Sequence, residues 1–313
     1  MRSDINYNNI IDFAEARDAQ AAADHAPSLP SDQIDPNKFY ITQHYHLYTR
    51  DNHEVWRDLY DRRWAVLEQQ VSRTFINGLK AINLVRDRLP LLFDTTLDRD
   101  VEISGGEVIK AGTQLKGING YLKQLTGWSS YGVPGYLPAK SFFACLARRQ
   151  FPTTVLIRPR EVMDYLPEPD IFHDVFGHVP LHADPVFAEF LQTYGKAALM
   201  CEDPYHIERL GRLFWFTVEF GLIKEDGRLK IYGSGLVSSH GESKWALEGD
   251  PETGKQPERR PFDLEQVCDT PFEIDHYQPI YYVLESFEQL RDAMNEYAER
   301  VLGEGAVVGA GRA

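Results

Sequence analysis

Cysteine is scarce and scattered: Cys145, Cys201 and Cys268 are the three in 313 residues. That count and spacing supply neither a disulfide framework nor a paired-thiol zinc site, and they fit a reducing compartment. An excess of basic residues is missing too. With 33 Lys and Arg against 47 Asp and Glu, the formal net charge is −14. This argues against the general attraction to nucleic acid or anionic membrane that a basic surface provides. No run of about eighteen apolar residues occurs, so no membrane-spanning helix is expected. The opening stretch MRSDINYNNIIDFAEARDAQ has no apolar signal core, and a soluble, cytoplasmic protein is expected. Internal repeats and a long heptad run are lacking. GSG at 233–235 is not followed by the lysine and serine of a P-loop.

What is present suits a substantial core: 43% of residues are hydrophobic and 12% aromatic. No strong linker interrupts residues 40–300, so one folded unit over 37–302 is expected, mainly α with small β elements. Residues 1–36 read as a polar leader and 303–313 as a frayed tail. From Trp56, the positions Leu59, Tyr60, Trp64, Leu67, Val71, Phe75 and Leu79 predict a single long amphipathic helix. VEISGGEVIKA predicts a hairpin excursion at 100–112, turning at Gly105 and Gly106. Further helices are expected in GINGYLKQLTGW, from Ala139 or Lys140, around Val186–Ala198, over 206–223, and from Leu284 to Val301. Asp226-Gly227 reads as a turn between two extended pieces.

FHDVFGHVPL, residues 172–181, places two histidines at an awkward interval. On an ideal α-helix His173 and His178 would point about 140° apart. The spacing therefore predicts a short helix, starting near Pro169 or Asp170 and stopping at Gly177 before Pro180, so that His178 swings back. Two histidines in a helix and turn are more often core or surface residues than ligands, so a third donor is needed. Glu219 is the misfit in WFTVEFGL, among Trp215, Phe216, Val218, Phe220 and Leu222. A carboxylate buried there must be metal-bound, hydrogen-bonded or paired with a buried arginine. Two imidazoles and one carboxylate describe the facial triad of non-haem Fe(II) oxygenases. Zinc competes, although the hydrolase motif H-E-x-x-H needs a glutamate beside the first histidine. Here Asp174 follows His173, and the interval is one residue longer.

Other polar residues invite roles. Arg158, in VLIRPR, is suited to a bidentate grip on a carboxylate, or to a structural salt bridge with Asp170, or to both. Ser238 and Ser239, in a glycine-rich loop, offer hydroxyls to a ligand histidine or a substrate. The remaining histidines (His25, His44, His46, His53, His182, His206, His240 and His276) read as structural or solvated.

EPDIFHDVFGHVPL, FWFTVEFGL, YGSGLVSSHGE and QPIYYVLESF resemble, in order and over about residues 45–300, the pterin-dependent aromatic amino acid hydroxylases, particularly those of bacterial type. The resemblance implies a single-domain aromatic amino acid hydroxylase catalytic fold and Fe(II) held by His173, His178 and Glu219. It also implies a tetrahydropterin (tetrahydrobiopterin or a related reduced pterin) at Val133, Gly135, Leu137, Phe142 and Asp174. The substrate would meet Arg158, Pro169, Trp215, Phe220, Gly235 and Ser238, with Asp170 and Ser238 supporting the metal turn. A flat heterocycle needs an aromatic face and backbone hydrogen bonds, which that loop and ring offer. The implied reaction is hydroxylation of L-phenylalanine to L-tyrosine with O2, and neither the regulatory domain nor the tetramerising helix of the animal enzymes is expected. A monomer with small-molecule partners is expected. Tryptophan 5-hydroxylation within the family, and a zinc hydrolase using the same ligands, stay open as alternatives.

Overall fold

The computed structural model describes residues 36–163, 169–272 and 276–302. The expected leader, apart from Pro36, and the expected tail lie outside these residues. No helix among them is long and apolar enough to cross a membrane.

Helix α1 spans Arg50–Gln70 and begins at a reciprocal capping box between Thr49 and Asn52. The single long helix expected from Trp56 is in fact two. Val71 leaves α1 in an extended conformation, and Ser72 caps α2 (Arg73–Ala81) by accepting from Phe75 N–H. The Ser72 N–H goes to Ile231 O, 2.9 Å away. A break of this kind keeps the apolar stripe in phase, so hydrophobic spacing alone does not reveal it.

Strands β1 (Thr95–Thr96) and β4 (Gln114–Leu115) pair around the predicted hairpin, β2 (Val101–Glu102) with β3 (Val108–Ile109). Gly105 and Gly106 both adopt left-handed backbone at φ 77° and 81°, which glycine takes without a Cβ penalty. Only the tip is a surface excursion, because Val101 and Ile103 are buried in the core.

Helix α3 (Ile118–Leu125) leads to β5 (Ser129–Val133), and α4 (Ala139–Ala147) connects it to its parallel partner β6 (Gln150–Thr154). Helix α5 (Pro185–Met200) lies close against α4; a Cβ on Gly195 would sit 2.5 Å from Leu146 Cβ. The expected helix over 206–223 is shorter and less regular. Helix α6 covers Pro204–Phe214, a π-helical turn covers Trp215–Glu219, and Leu222–Glu225 is strand β7. The chain turns at Gly221, where a Cβ would lie 2.1 Å from the Tyr232 ring. Short apolar runs such as Leu222-Ile223 fit helix or strand equally by pattern.

Asp226-Gly227 makes the expected turn into β8 (Arg228–Ile231). Helices α7 (Ser234–Ser238) and α8 (His240–Glu248) replace the expected glycine-rich loop, with Ser239 capping α8. Strands β9 (Glu258–Pro261) and β10 (Ile280–Leu284) complete a four-stranded sheet in the order β8-β7-β10-β9. Helix α9 (Leu264–Asp269) precedes β10, and α10 (Phe287–Leu302) closes the described chain. One cluster of buried apolar side chains runs from Ile41 to Ala298. Trp56 lies in it against the stacked pair Phe172 and Phe176, which belong to the histidine segment itself.

Candidate metal centre

Both segments that carry candidate ligands are π-helical. Phe172–His178 is a π-helix that continues without a stop into the 3₁₀ turn Val179–Ala183. The expected stop at Gly177 is therefore corrected. An i→i+5 helix places residues five apart on one face, which resolves the interval between His173 and His178 without a break. Their rings meet edge to face at 4.9 Å, and their Nε2 atoms are 3.2 Å apart. Gly177 serves a close approach instead of a cap, since a Cβ there would lie 3.2 Å from Ser234 Cβ. Pro180 sits in the first turn of the following 3₁₀ segment, where a missing N–H is tolerated.

The second π turn presents Glu219, with Phe220 N–H bonding to Trp215 O at 2.9 Å. Glu219 Oε1 lies 3.2 Å from His178 Nε2, and Oε2 lies 3.7 Å from His173 Nε2. The three residues can each offer one donor atom with all three atoms within 4.8 Å of one another. Burial alone would favour a neutral Glu219, but the His178 and His173 imidazoles and the Ser234 hydroxyl hold it down at about 2. Burial holds His173 down at about 4. At neutral pH the set is thus an ionised carboxylate beside a neutral His173 ring, the protonation state a divalent cation requires.

Helix α7 braces this set. Ser238 Oγ donates to Ser234 O at 2.8 Å, so it accepts from His173 Nδ1–H at 3.0 Å. That assignment leaves the Nε2 lone pair of His173 directed at the donor set. Ser234 Oγ lies 2.7 Å from Glu219 Oε2 and 2.9 Å from His178 Nε2. Sequence reasoning missed Ser234, whose only signal was a hydroxyl between two glycines in YGSGL. Those glycines bring the helix in: a Cβ on Gly233 would lie 2.4 Å from Glu219 O, and one on Gly235 2.9 Å from Phe220 Cζ.

Asp170 joins the metal segment to Arg158. Its carboxylate takes the Arg158 guanidinium as a two-toothed fork and also accepts the His173 backbone N–H. Burial opposes ionisation of Asp170, yet the Arg158 fork holds its carboxyl below the usual range. Both the salt bridge and an anchor role thus remain compatible with the sequence expectation. Half-buried Pro169 immediately precedes this carboxylate.

Trp215 stacks on Phe272 at 4.3 Å and tilts against Phe220 at 4.7 Å. Its indole N–H donates to Gln278 Oε1 at 3.1 Å. Gly235 packs on the Phe220 ring, so Trp215, Phe220 and Gly235 gather beside Glu219. The residues expected around the pterin reach the metal segment through strands β5 and β6. Val133 pairs with Thr154, and Thr154 donates both its backbone N–H and its hydroxyl to Asp174 Oδ2 at 2.7 Å. Burial pushes Asp174 up to about 7, and Thr154 ties it to β6. Val133 and Leu137 belong to a small apolar cluster with Tyr131 and Cys145, and Gly135 lies between them in the chain. The Phe142 ring contacts Phe151 at 6.3 Å, and Phe151 lies 4.7 Å from the His178 ring. Phe151 was not anticipated; it reads as an ordinary strand residue.

A mainly helical scaffold converging two imidazoles and a carboxylate, beside aromatic rings and a buried arginine, has the donor set of mononuclear non-haem iron oxygenases. Comparison with known proteins narrows this class. Residues 102–306 match the family model described as biopterin-dependent aromatic amino acid hydroxylase. The chain is 39% identical over 268 residues to phenylalanine-4-hydroxylase of Ralstonia nicotianae, covering 86% of this chain and 76% of that protein. It is 40% identical over 252 residues to the Caulobacter vibrioides enzyme of the same name, covering 80% and 76%. A crystal structure of Chromobacterium violaceum phenylalanine hydroxylase with iron(III) and 7,8-dihydrobiopterin aligns at a TM-score of 0.72. That alignment has 34% identity and covers 90% of this chain and 94% of that one. The chain belongs to the biopterin-dependent aromatic amino acid hydroxylase family.

Proposed function

We infer that the chain is a phenylalanine 4-monooxygenase, converting L-phenylalanine to L-tyrosine with O2 and a tetrahydropterin at Fe(II). The observation that carries this reading is the convergence of His173, His178 and Glu219 in a chain 39% identical to a phenylalanine-4-hydroxylase over 86% of its length. We assign the metal to those three residues. When bound, Fe(II) and the reduced pterin supply the splitting of dioxygen, one atom to the substrate ring and one to the pterin.

The protein's own part is to bind, orient and exclude water. Arg158, kept ionised and aimed by Asp170, takes the amino acid carboxylate. Trp215, Phe220, Pro169 and Gly235 hold the aromatic ring beside Glu219, and Ser238 fixes His173 in the tautomer that presents Nε2. Phe142, Val133, Gly135, Leu137 and Asp174 would hold the pterin, the ring offering an aromatic face and the loop its backbone hydrogen-bonding groups. We take residues 37–302 to act as the single catalytic domain, with the 100–112 hairpin as a peripheral element. The protein acts as a cytoplasmic monomer on this reading, and its three buried free thiols accord with a reducing compartment.

The test is to incubate the Fe(II)-loaded protein with phenylalanine, tetrahydropterin and air, measuring tyrosine against pterin oxidised. Coupled tyrosine formation lost in His178→Ala is the expected result. Pterin oxidation without tyrosine would keep the site and reject the substrate. Faster turnover of tryptophan than phenylalanine would move the assignment to a tryptophan 5-hydroxylase, and turnover with zinc but without oxygen or pterin would move it to a hydrolase.

A further inference from the structure

Three groups compete for the one proton of the Ser234 hydroxyl. Glu219 Oε2 is 2.7 Å away, His178 Nε2 2.9 Å and Val218 O 3.3 Å. An ionised carboxylate is the strongest acceptor of the three, and it is also the nearest. Ser234 is almost wholly buried, at 1% exposure, so no bulk solvent competes for that bond. The hydroxyl cannot easily turn elsewhere. The backbone on either side is pressed against the Glu219 carbonyl at Gly233 and against the Phe220 ring at Gly235, and Ser234 Cβ itself faces Gly177.

The two oxygens of Glu219 are therefore unlike. Oε2 accepts the serine O–H and lies 3.7 Å from His173 Nε2, whereas Oε1 has no serine bond and lies closer to its imidazole, 3.2 Å from His178 Nε2. We propose that Ser234 is a positioning residue that holds Glu219 as a one-oxygen ligand, reserving Oε2 from the metal. The proposal rests on the metal reading of His173, His178 and Glu219, and is independent of which amino acid is hydroxylated. Its chemical consequence is an additional coordination position. A carboxylate binding through both oxygens would occupy two positions of the ion, and oxygenase chemistry needs positions left open. Ser234 differs from Ser238 in this respect: Ser238 orients an imidazole, and Ser234 restricts a carboxylate.

The test uses Co(II) as the probe, titrated into the metal-free full chain and followed by visible absorption. It compares the wild type, Ser234→Ala, Glu219→Ala and the double variant. Loss of a group that orients a ligand typically weakens metal binding by about 10- to 100-fold. Ser234→Ala should accordingly raise the Co(II) dissociation constant about tenfold. The released Oε2 should also raise the coordination number, and so lower the intensity of the Co(II) bands. In the Glu219→Ala background the same substitution should change the constant by less than about twofold, because the group it acts through is gone. An unchanged constant and spectrum in Ser234→Ala would overturn the proposal. So would an equal penalty in both backgrounds, the signature of a merely structural serine or of a folding defect. If Glu219→Ala bound Co(II) as the wild type does, the metal reading itself would fall, and this proposal with it.

Discussion

Asp170 grips Arg158 at both ends of its guanidinium: Nε lies 2.8 Å from Oδ2 and Nη2 lies 2.8 Å from Oδ1. The Arg158 backbone N–H adds a third bond to Oδ2 at 2.9 Å, and Oδ1 also accepts the His173 N–H at 3.0 Å. One carboxylate thus fixes the proposed substrate anchor relative to the first candidate metal ligand. Among the described residues, Nη1 makes only a long contact, 3.4 Å to Met163 O, and on the proposed reading it is the nitrogen left to meet a substrate carboxylate. Lysine keeps the charge but has no planar fork to divide between two carboxylates. Arg158→Lys should therefore raise KM for the amino acid with a smaller change in kcat. A hydrogen bond to a charged group is worth about 1.5–3 kcal/mol, or roughly 10- to 100-fold. Steady-state kinetics decide the matter, and an unchanged KM would remove Arg158 from the substrate site.

Acid should destabilise the fold through His53. This residue is fully buried and accepts the Leu89 N–H on Nδ1 at 3.0 Å. Burial holds it down at about 4, from an ordinary 6.5. Between those two values the unfolded chain binds the proton more readily than the folded one, so stability falls as pH falls from 6.5 towards 4. Asparagine can present Oδ1 to the same N–H without titrating. The melting temperature of His53→Asn, followed against pH, should therefore fall less steeply across that window than that of the wild type. Parallel curves would show that His53 does not drive the acid transition.

Aromatic preference should depend on Gln278, a residue far in sequence from every predicted contact. It is 2% exposed, and its Oε1 accepts the Trp215 indole N–H. Its backbone is held in turn, because its N–H donates to Glu242 Oε1 at 3.0 Å and its carbonyl accepts from Trp245 Nε1 at 2.9 Å. Gln278→Met keeps comparable bulk and removes the acceptor, leaving the indole N–H to find another partner at a cost of about 1–3 kcal/mol. A ring free to tilt away from Phe220 no longer defines one wall of the pocket. The ratio of kcat/KM for phenylalanine over tryptophan should fall about tenfold, equivalent to about 1.4 kcal/mol. If the ratio holds, Trp215 is kept in place by its stack on Phe272 alone.

Much of this site was legible in the sequence because chemistry requires particular side chains. His173, His178 and Glu219 stood out as two imidazoles and a carboxylate in apolar surroundings, and they converge as expected. How the chain presents them was not legible. Periodicity turns the interval of five into a helix stop, since it assumes 3.6 residues per turn and a π turn has no propensity signal of its own. The long stripe from Trp56 to Leu79 likewise hid the break at Val71 and Ser72, because both helices bury the same face. Ser234, Thr154, Phe151 and Gln278 were invisible for a different reason. Each acts through a partner distant in sequence, so neither the glycines beside Ser234 nor the block that opens at Gln278 tells which side chain it meets.

Two glycine substitutions test how the metal segment is seated. In an open helix position, replacing glycine by alanine should stabilise by roughly 0.5–1 kcal/mol through helix propensity. Gly211, in the helix Pro204–Phe214, has nothing within 4 Å of an added Cβ, and Gly211→Ala should raise the urea midpoint. Gly78, in the helix Arg73–Ala81, is the opposite case. A Cβ there would lie 1.9 Å from Pro180 O and 2.6 Å from Pro180 C. Those are backbone atoms that cannot rotate aside, so helix or turn must shift. Overpacking of this kind costs about 1–3 kcal/mol, sometimes more, and here it outweighs the propensity gain. Pro180 is two residues beyond His178, so the displacement should reach the ligand. Gly78→Ala should therefore lower the urea midpoint and weaken Co(II) binding together, whereas Gly211→Ala should leave Co(II) binding unchanged. A stabilised Gly78→Ala would mean that Arg73–Ala81 does not press on the histidine segment.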